Sequence, residues 1–253
     1  MGNEQKILQV ANLIKNSKHA IALTGAGVST PSGIPDFRSP GSGLWAKHDP
    51  MEVASIWGFN AHPETFYEWM RPMSELMVKA RPNPAHTALA ELEALGKLHA
   101  IITQNIDGLH QDAGSQRVLE VHGHTRAMTC IRCFSQSDSK THTEKFLAHG
   151  TVPTCEVCGG VMKPNVVLFG EMLPVSVMFE AEQETKKCDV ILVAGSSLEV
   201  APAGDLPLVA KKHGAKIIIV NKGATAVDGH ATITLREDVA SALPKIVEQV
   251  KRG

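Results

Sequence analysis

No stretch of this chain approaches the about 18 to 20 uninterrupted apolar residues that a membrane-crossing helix requires. A bilayer-spanning protein is therefore not expected. Charge of either sign is not in excess: 25 Lys and Arg stand against 26 Asp and Glu, a formal net charge of -1. No global basic field argues for nucleic acid or an anionic membrane. The opening Met1-Gly-Asn-Glu-Gln-Lys6 lacks the apolar core of a secretory signal and the hydroxyl at position six of a myristoylation signal. A cytoplasmic protein is the expectation, and no internal repeat suggests a solenoid. What remains is ordinary globular composition, 43% hydrophobic and 20% charged, in 253 residues that allow one or two domains.

Residues 4–17 place Ile7, Leu8, Val10, Ala11, Leu13 and Ile14 at helical spacing. Apolar runs at Ala20–Leu23, His99–Thr103, Val118–Val121, Val190–Ala194, Lys216–Val220 and Ala231–Leu235 predict strands. Helices are predicted at 84–95, near 174–187, near 202–213, and after Asp238 or Ser241, where Pro244 is tolerable only in a first turn. Strands alternating with helices imply an α/β fold with a mostly parallel, doubly wound, Rossmann-like sheet. Two segments break the alternation. Residues 31–84 are punctuated by eight prolines and suggest a long loop with short helices. Residues 125–165 hold four cysteines and a polar run, 135–145, with little apolar content. The predicted division is a dinucleotide-binding domain of 1–30, 85–124 and 166–253, and a smaller inserted module of 31–84 and 125–165.

Cys130-x-x-Cys133 and Cys155-x-x-Cys158, with 21 residues between the inner pair, have the spacing of a tetrahedral zinc site with bonds of roughly 2.3 Å. Four thiolates leave no open position, so such an ion is structural, a staple for a segment too polar to build a core. Lysines and arginines in this module are matched by acids, with no interleaved aromatic stripe, so no nucleic-acid surface is expected. Cys188, before an apolar run, reads as a small buried hydrophobe.

The strand ends carry the rest. Gly25-Ala-Gly27 follows the first strand, as in folds that seat a pyrophosphate, since glycine lets backbone N–H groups approach a ligand. The third glycine of a dinucleotide fingerprint is absent: Thr30 stands there. Thr103-Gln-Asn-Ile-Asp107 ends the next strand, where Asn and Asp also suit a plain turn. His122-Gly123 ends another. An imidazole there is a candidate general base, one of twelve histidines and set apart only by position. Gly195-Ser-Ser197 and Asn221-Lys-Gly223 close two more strands with small polar residues. Pro164 to Glu171 returns from the cysteine module as an apolar segment, readable as core, or as a tunnel wall with a strand edge for an extended peptide.

Taken in order, these motifs resemble the sirtuins, NAD-dependent protein lysine deacylases, over about residues 4–250, and most of all a compact prokaryotic-type member. The resemblance rests on Gly25–Ser29, Pro35-Asp-Phe-Arg38, Thr103–Asp107, His122-Gly123, both cysteine pairs, Phe169-Gly-Glu171, Gly195–Ser197 and Asn221. It implies an NAD site lined by Gly25, Ala26, Gly27, Ser29, Thr30, Phe37, Arg38, Gln104, Asn105, Ile106 and Asp107 on the phosphate and nicotinamide side. Gly195, Ser196, Ser197, Asn221 and Val239 would hold the adenosine side. His122 would be the general base, with Asn105 also catalytic. Val167 and Phe169 would wall the acyl-lysine tunnel, and Gly170, Glu171 and Val200 would flank an acetyl-lysine segment bound as an extended strand. Zn2+ on Cys130, Cys133, Cys155 and Cys158 would be structural. The implied products are nicotinamide, free lysine and O-acetyl-ADP-ribose, made by a monomer.

Sirtuins that prefer succinyl or malonyl groups carry Tyr-x-x-Arg. Here the matching segment is Tyr67-Glu-Trp-Met70, with Arg71 one residue late, about 100° around a helix. Acetyl is the expected group. Other readings are a mono-ADP-ribosyltransferase, a deacylase preferring another acyl group, and a zinc-ribbon binding module without catalysis. A dehydrogenase is disfavoured by the missing glycine and by Leu44 where a ribose-binding acid would stand.

Overall fold

A computed structural model describes residues 2–36 and 48–252. Strand β1 (Ala20–Thr24) is buried at all five positions. It pairs in parallel with β2 (Ala100–Thr103) on one side and β7 (Val190–Ala194) on the other. Such a strand has no solvent face, which is why its sequence shows no alternation. With β3 (Val118–Glu120), β8 (Lys216–Val220) and β9 (Ile233–Leu235) it forms a six-stranded parallel sheet, ordered β3-β2-β1-β7-β8-β9. The order reverses direction between β1 and β7, the switch point at which doubly wound sheets bind ligands.

Helices cover both faces. On one, α1 (Asn3–Asn16), α5 (Pro84–Ala94) and α10 (Val239–Lys251) bury Ile14, Leu89, Leu92, Leu243 and Ile246 against alternate residues of the strands. On the other, α8 (Val175–Lys187) and α9 (Leu206–Lys212) bury Ala181, Leu206 and Ala210 against Ile21, Leu23 and Ile191. Each fully buried Leu or Ile contributes about 1.5–3 kcal/mol. Cys188 lies within this second core, as expected, and burial pushes its thiol up to about 12.

The two irregular segments build a separate core. Helices α2 (Pro50–Val53), α3 (Ile56–Ala61) and α4 (Pro63–Lys79) bring Phe59, Phe66 and Tyr67 against Phe146 of α7 (Lys140–His149). Strands β5 (Gln136–Asp138), β4 (Gly123–Cys130) and β6 (Met162–Val166) form an antiparallel sheet in that order. The short helix α6 (Leu109–Asp112) follows β2.

Two expectations need correction, those on segment 31–84 and on Pro244. Segment 31–84 is not mainly loop: α4 has 17 residues and carries Pro72 in its interior. Pro63 opens it where no N–H is missed, and burial of Phe66, Tyr67, Met70 and Met73 outweighs the hydrogen bond that Pro72 cannot donate. Likewise Pro244 sits in the second turn of α10, not the first, held by buried Leu243, Ile246 and Val247. The polar run 135–145 is structured as β5 and the start of α7, anchored by buried Phe146. Among the described residues no helix is long and apolar enough to cross a membrane.

Candidate active site and metal centre

The chain turns at the carboxyl ends of β1 and β7 on either side of the switch point. Gly195 has φ +61°, a left-handed backbone. A Cβ there would lie 2.3 Å from the Val28 nitrogen, and one on Gly27 would lie 2.8 Å from the Gly195 oxygen. Gly27 N–H donates to that oxygen at 2.9 Å. The sequence suggests that Gly25 and Gly27, lacking a Cβ, let backbone N–H groups approach a ligand. The space their Cβ atoms would fill is taken instead by Gly195 and Ser196. The glycines let two strand-end loops touch backbone to backbone.

Ser29, in the turn after β1, is a hub. Its Oγ donates to Asp107 Oδ2 at 2.6 Å and accepts from Asn105 Nδ2 at 3.1 Å. His86 Nε2 stands 3.5 Å away. His86 Nδ1 accepts Asn83 N–H, so its proton is on Nε2, facing Ser29. Asp107 also accepts Leu109 N–H at 2.9 Å. Burial raises the Asp107 pKa, against these two hydrogen bonds that lower it. Behind the hub, Thr24 Oγ1 donates to Thr103 Oγ1 at 2.9 Å, and Thr103 Oγ1 accepts Asn105 N–H at 3.1 Å. His110 Nε2 lies 2.9 Å from Thr24 Oγ1, and its ring meets His86 edge-on at 4.9 Å. Burial pushes His86 down to about 4 and, with His86 beside it, His110 down to about 3. Both rings are neutral at pH 7.

His122 follows β3. Its Nδ1 lies 3.1 Å from the Gln104 carbonyl oxygen. A carbonyl only accepts, so Nδ1 carries the proton and the basic lone pair is on Nε2. The His122 carbonyl accepts Val167 N–H at 2.9 Å, which ties the imidazole's backbone to the segment after β6. Gln104 Nε2 reaches Ser196 Oγ at 3.5 Å. Segments after β1, β2, β3, β6 and β7 are thus connected by hydrogen bonds.

A cleft of about 400 Å³ opens beside this network, lined by Gly27, Thr30, Gly33, Ile34, Pro35, Asp36, Lys222, Glu237, Asp238 and Val239. Lys222 pairs with Asp238 at 2.6 Å, and Asp238 caps α10 through Ala240 N–H. Of the expected cofactor residues, Gly27, Thr30 and Val239 line this cleft, whereas Gly25, Ala26 and Ser29 stand in the loop behind it. Ile106 lies between Asn105 and Asp107, its carbonyl accepting Thr125 N–H. Ser197 accepts Ala226 N–H through its carbonyl, and Asn221 Nδ2 donates to Gly223 O. Phe37 and Arg38 lie outside the described residues. Val200 is half-buried, its carbonyl accepting Gly204 N–H at 2.8 Å.

Past Val167, Phe169 N–H donates to Ala54 O and its carbonyl accepts Ile56 N–H, each at 2.9 Å. Leu168 N–H donates to Glu171 Oε2 at 2.8 Å, and Lys163 pairs with the same oxygen. Phe169 backbone groups are therefore committed to the α2–α3 turn at Ala54 and to Ile56 at the start of α3.

Sequence reasoning gave no site role to Thr24 and His86, and noted Thr103, His110, Lys222 and Asp238 only as members of strand-end motifs or as a helix start. For His86 a signal existed: Asn83-Pro84-Ala85-His86 has the form of a helix start, and Asn83 and His86 cap α5 reciprocally.

The four cysteine sulfurs of the inserted module lie within 4.8 Å of one another. Cys130–Cys158 and Cys133–Cys155 are 3.5 and 3.7 Å apart. A tetrahedron with bonds of about 2.3 Å has edges of about 3.8 Å, so this cluster fits one zinc ion. Ser135 Oγ, 3.2 Å from Cys133 and 3.0 Å from Cys155, supplies an outer hydrogen bond.

Residues 25–202 match the Sir2 family model. NAD-dependent protein deacylase 2 of Archaeoglobus fulgidus is 50% identical over 250 residues, covering 98% of each chain. An NAD-dependent protein deacetylase of Thermotoga maritima is 41% identical, covering 96% of this chain and 98% of its own. Among solved structures, one from a study of the mechanism and regulation of Sir2 enzymes superposes with a TM-score of 0.93 at 50% identity, covering 98% of this chain and 99% of the other. A Sir2 complex with p53 peptide and NAD+ gives 0.88 at 39%, covering 97% and 98%. With its parallel sheet, joined strand-end loops and cysteine cluster in the same chain, this protein belongs to the Sir2 family.

Proposed function

We propose that this chain is an NAD-dependent protein lysine deacetylase. The observation that carries the reading is the convergence of Ser29, Asn105 and Asp107 in one hydrogen-bonded hub, with His122 held by the Gln104 carbonyl beside it. Bound NAD would supply a ribose carbon that exchanges its bond to nicotinamide for one to the acetyl-lysine amide oxygen, and, with one water consumed as the amine is released, the products would be nicotinamide, lysine and O-acetyl-ADP-ribose.

The chain's own residues position and deprotonate. An amide oxygen is a weak nucleophile, so alignment in a water-poor site matters most. Asn105 and Asp107 are fixed by Ser29 and by the Thr24–Thr103 pair, so their polar ends face the site without searching rotamers. His122 Nε2 takes a proton from a ribose hydroxyl, and its Nδ1–H stays on Gln104. Gly27, Thr30 and Val239, with Lys222 nearby, form the wall for the rest of the dinucleotide. Val167 and Phe169 wall the acyl-lysine passage, with Gly170, Glu171 and Val200 along the peptide. The cysteine-held zinc takes no part in the chemistry. The partners are acetylated protein segments, met in the cytoplasm by a monomer; at a formal charge of -1 the chain offers nucleic acid no overall attraction.

The test is His122→Ala. General base catalysis is worth about 10²–10⁴-fold. We expect deacetylation of an acetyl-lysine peptide to fall within that range while the peptide KM changes little. A variant that works near the parent rate would remove His122 from the mechanism.

A further inference from the structure

Two consecutive residues of β4 bracket Asp107. Thr125 donates to the Ile106 carbonyl twice, from its N–H at 3.3 Å and from Oγ1 at 3.1 Å. Arg126 reaches back to Glu120 at the end of β3. Its Nη1 donates to Oε1 at 2.8 Å and its Nη2 to Oε2, a two-pronged fit of guanidinium to carboxylate. The same Nη1 lies over Gly108, which has φ +77° and where a Cβ would stand 3.4 Å from it. The turn that carries Asp107 is therefore held on one side by Thr125 and on the other by Arg126. Ser29 Oγ and Leu109 N–H take the carboxylate oxygens themselves.

Strand β4 belongs to the inserted module. The Arg126 carbonyl accepts Ser139 N–H, just before α7, at 2.9 Å, and Cys130 of the sulfur cluster ends the same strand. Residues 125 and 126 join that module to the Ser29 hub.

Charge gives the guanidinium a second task. Asp107, Glu120 and Asp112 stand around one turn. Burial raises the Asp107 pKa, and repulsion from Glu120 and Asp112 adds to the rise, against the hydrogen bonds of Ser29 and Leu109 that lower it. The Arg126 cation faces both Glu120 and Asp112. The other titratable groups around the turn are His124 of β4, held low by burial and by Arg126, and His86 of α5 behind Ser29, neutral at pH 7. The Glu120 side chain is 9% exposed, so it depends on its partner, whereas Arg126, 48% exposed, can be replaced without opening a core.

We propose that Arg126 is a positioning residue for the nicotinamide side of the reaction: paired with Glu120, it holds the Ile106–Gly108 turn and offsets the neighbouring negative charge, so that the Asp107 carboxylate is kept in place for the cofactor. The inference rests on the deacetylase reading, in which Asp107 serves the nicotinamide, and adds a residue that acts through it.

The experiment follows kcat and the KM values for NAD and for an acetyl-lysine peptide from about pH 5.5 to 9. It compares the parent with Arg126→Gln, Arg126→Lys and Arg126→Gln/Glu120→Gln, and records zinc content and melting temperature for each. Arg126→Gln should lower kcat/KM for NAD about tenfold at pH 7 while the peptide KM changes little. The acidic fall of its profile should move to higher pH, because Asp107 then faces two carboxylates with no cation between them. The double variant, which removes the repelling charge along with its partner, should recover most of the loss. Arg126→Lys, which keeps the charge and loses the fork, should fall between parent and Gln. Arg126→Gln within about twofold of the parent overturns the inference and spares the deacetylase reading. So does a loss that is equal at every pH and not recovered by the double variant, or one that follows loss of zinc or of melting temperature, since a merely structural contact behaves in that way. A parent that never consumes NAD when given acetylated peptide overturns the deacetylase reading and the inference together.

Discussion

Two buried imidazoles behind the Ser29 hub set how the protein answers acid. His86 and His110 are neutral in the fold because burial pushes them to about 4 and about 3, whereas unfolded histidines titrate near 6.5. Between those limits the unfolded chain binds more protons than the folded one, so stability rises with pH. It is fully present above about pH 6.5 and is lost as pH falls towards 3 to 4, by about 1.4 kcal/mol per pH unit for each ring. Denaturant melts from pH 7 to 4 check this, and His110→Asn should flatten the slope. At this scale the sequence was partly legible. Asn105, Asp107 and His122 stand in short motifs at strand ends. His86 and His110 meet Ser29 and Thr24 only through tertiary folding, and no spacing in the chain announces that.

Elements differ in what their sequences disclose. The central strands are legible because a strand buried on both faces must be apolar throughout. Helix α4 is not: its prolines speak for a loop, and only the aromatic core beneath it overrules them. The cysteine module shows the opposite balance, with plain ligand spacing and, among the described residues, a small cluster of Met128, Cys130, Cys155 and Met162 at its centre with Cys158 packed against it. Such a core cannot hold three strands without metal. Strand β4 starts next to His122, and β6 ends next to Val167. Removing zinc should therefore abolish activity while most far-UV circular dichroism persists, because α1, α5 and α8–α10 rest on the parallel sheet. One zinc per chain should appear in a metallochromic assay, and refilling with cobalt should restore turnover. Full activity after complete metal loss would contradict a structural role.

For the whole molecule, substrate choice follows from which groups the two cores consume. Tyr67 is buried and its hydroxyl donates to the Met162 carbonyl at 2.5 Å. Arg71 donates to the Leu147 carbonyl at 2.8 Å and faces Glu75 at 3.6 Å. Position 70, where an arginine would serve an acidic acyl group, is Met70, 6% exposed. Acetyl-lysine should be cleaved at least about tenfold faster than succinyl-lysine in the same peptide, because an unpaired buried carboxylate costs more than the about 1.4 kcal/mol that this ratio represents. Faster succinyl removal in a peptide panel would show that the assignment of these side chains is wrong. The central claim is that one crevice at the sheet's switch point joins NAD to an acylated lysine. Mass spectrometry of the products formed from NAD and an acetylated peptide tests it most directly. Nicotinamide, deacetylated peptide and O-acetyl-ADP-ribose should form in equal amounts. Deacetylation that releases free acetate without consuming NAD, or ADP-ribose found on protein with the acetyl group still in place, would contradict it.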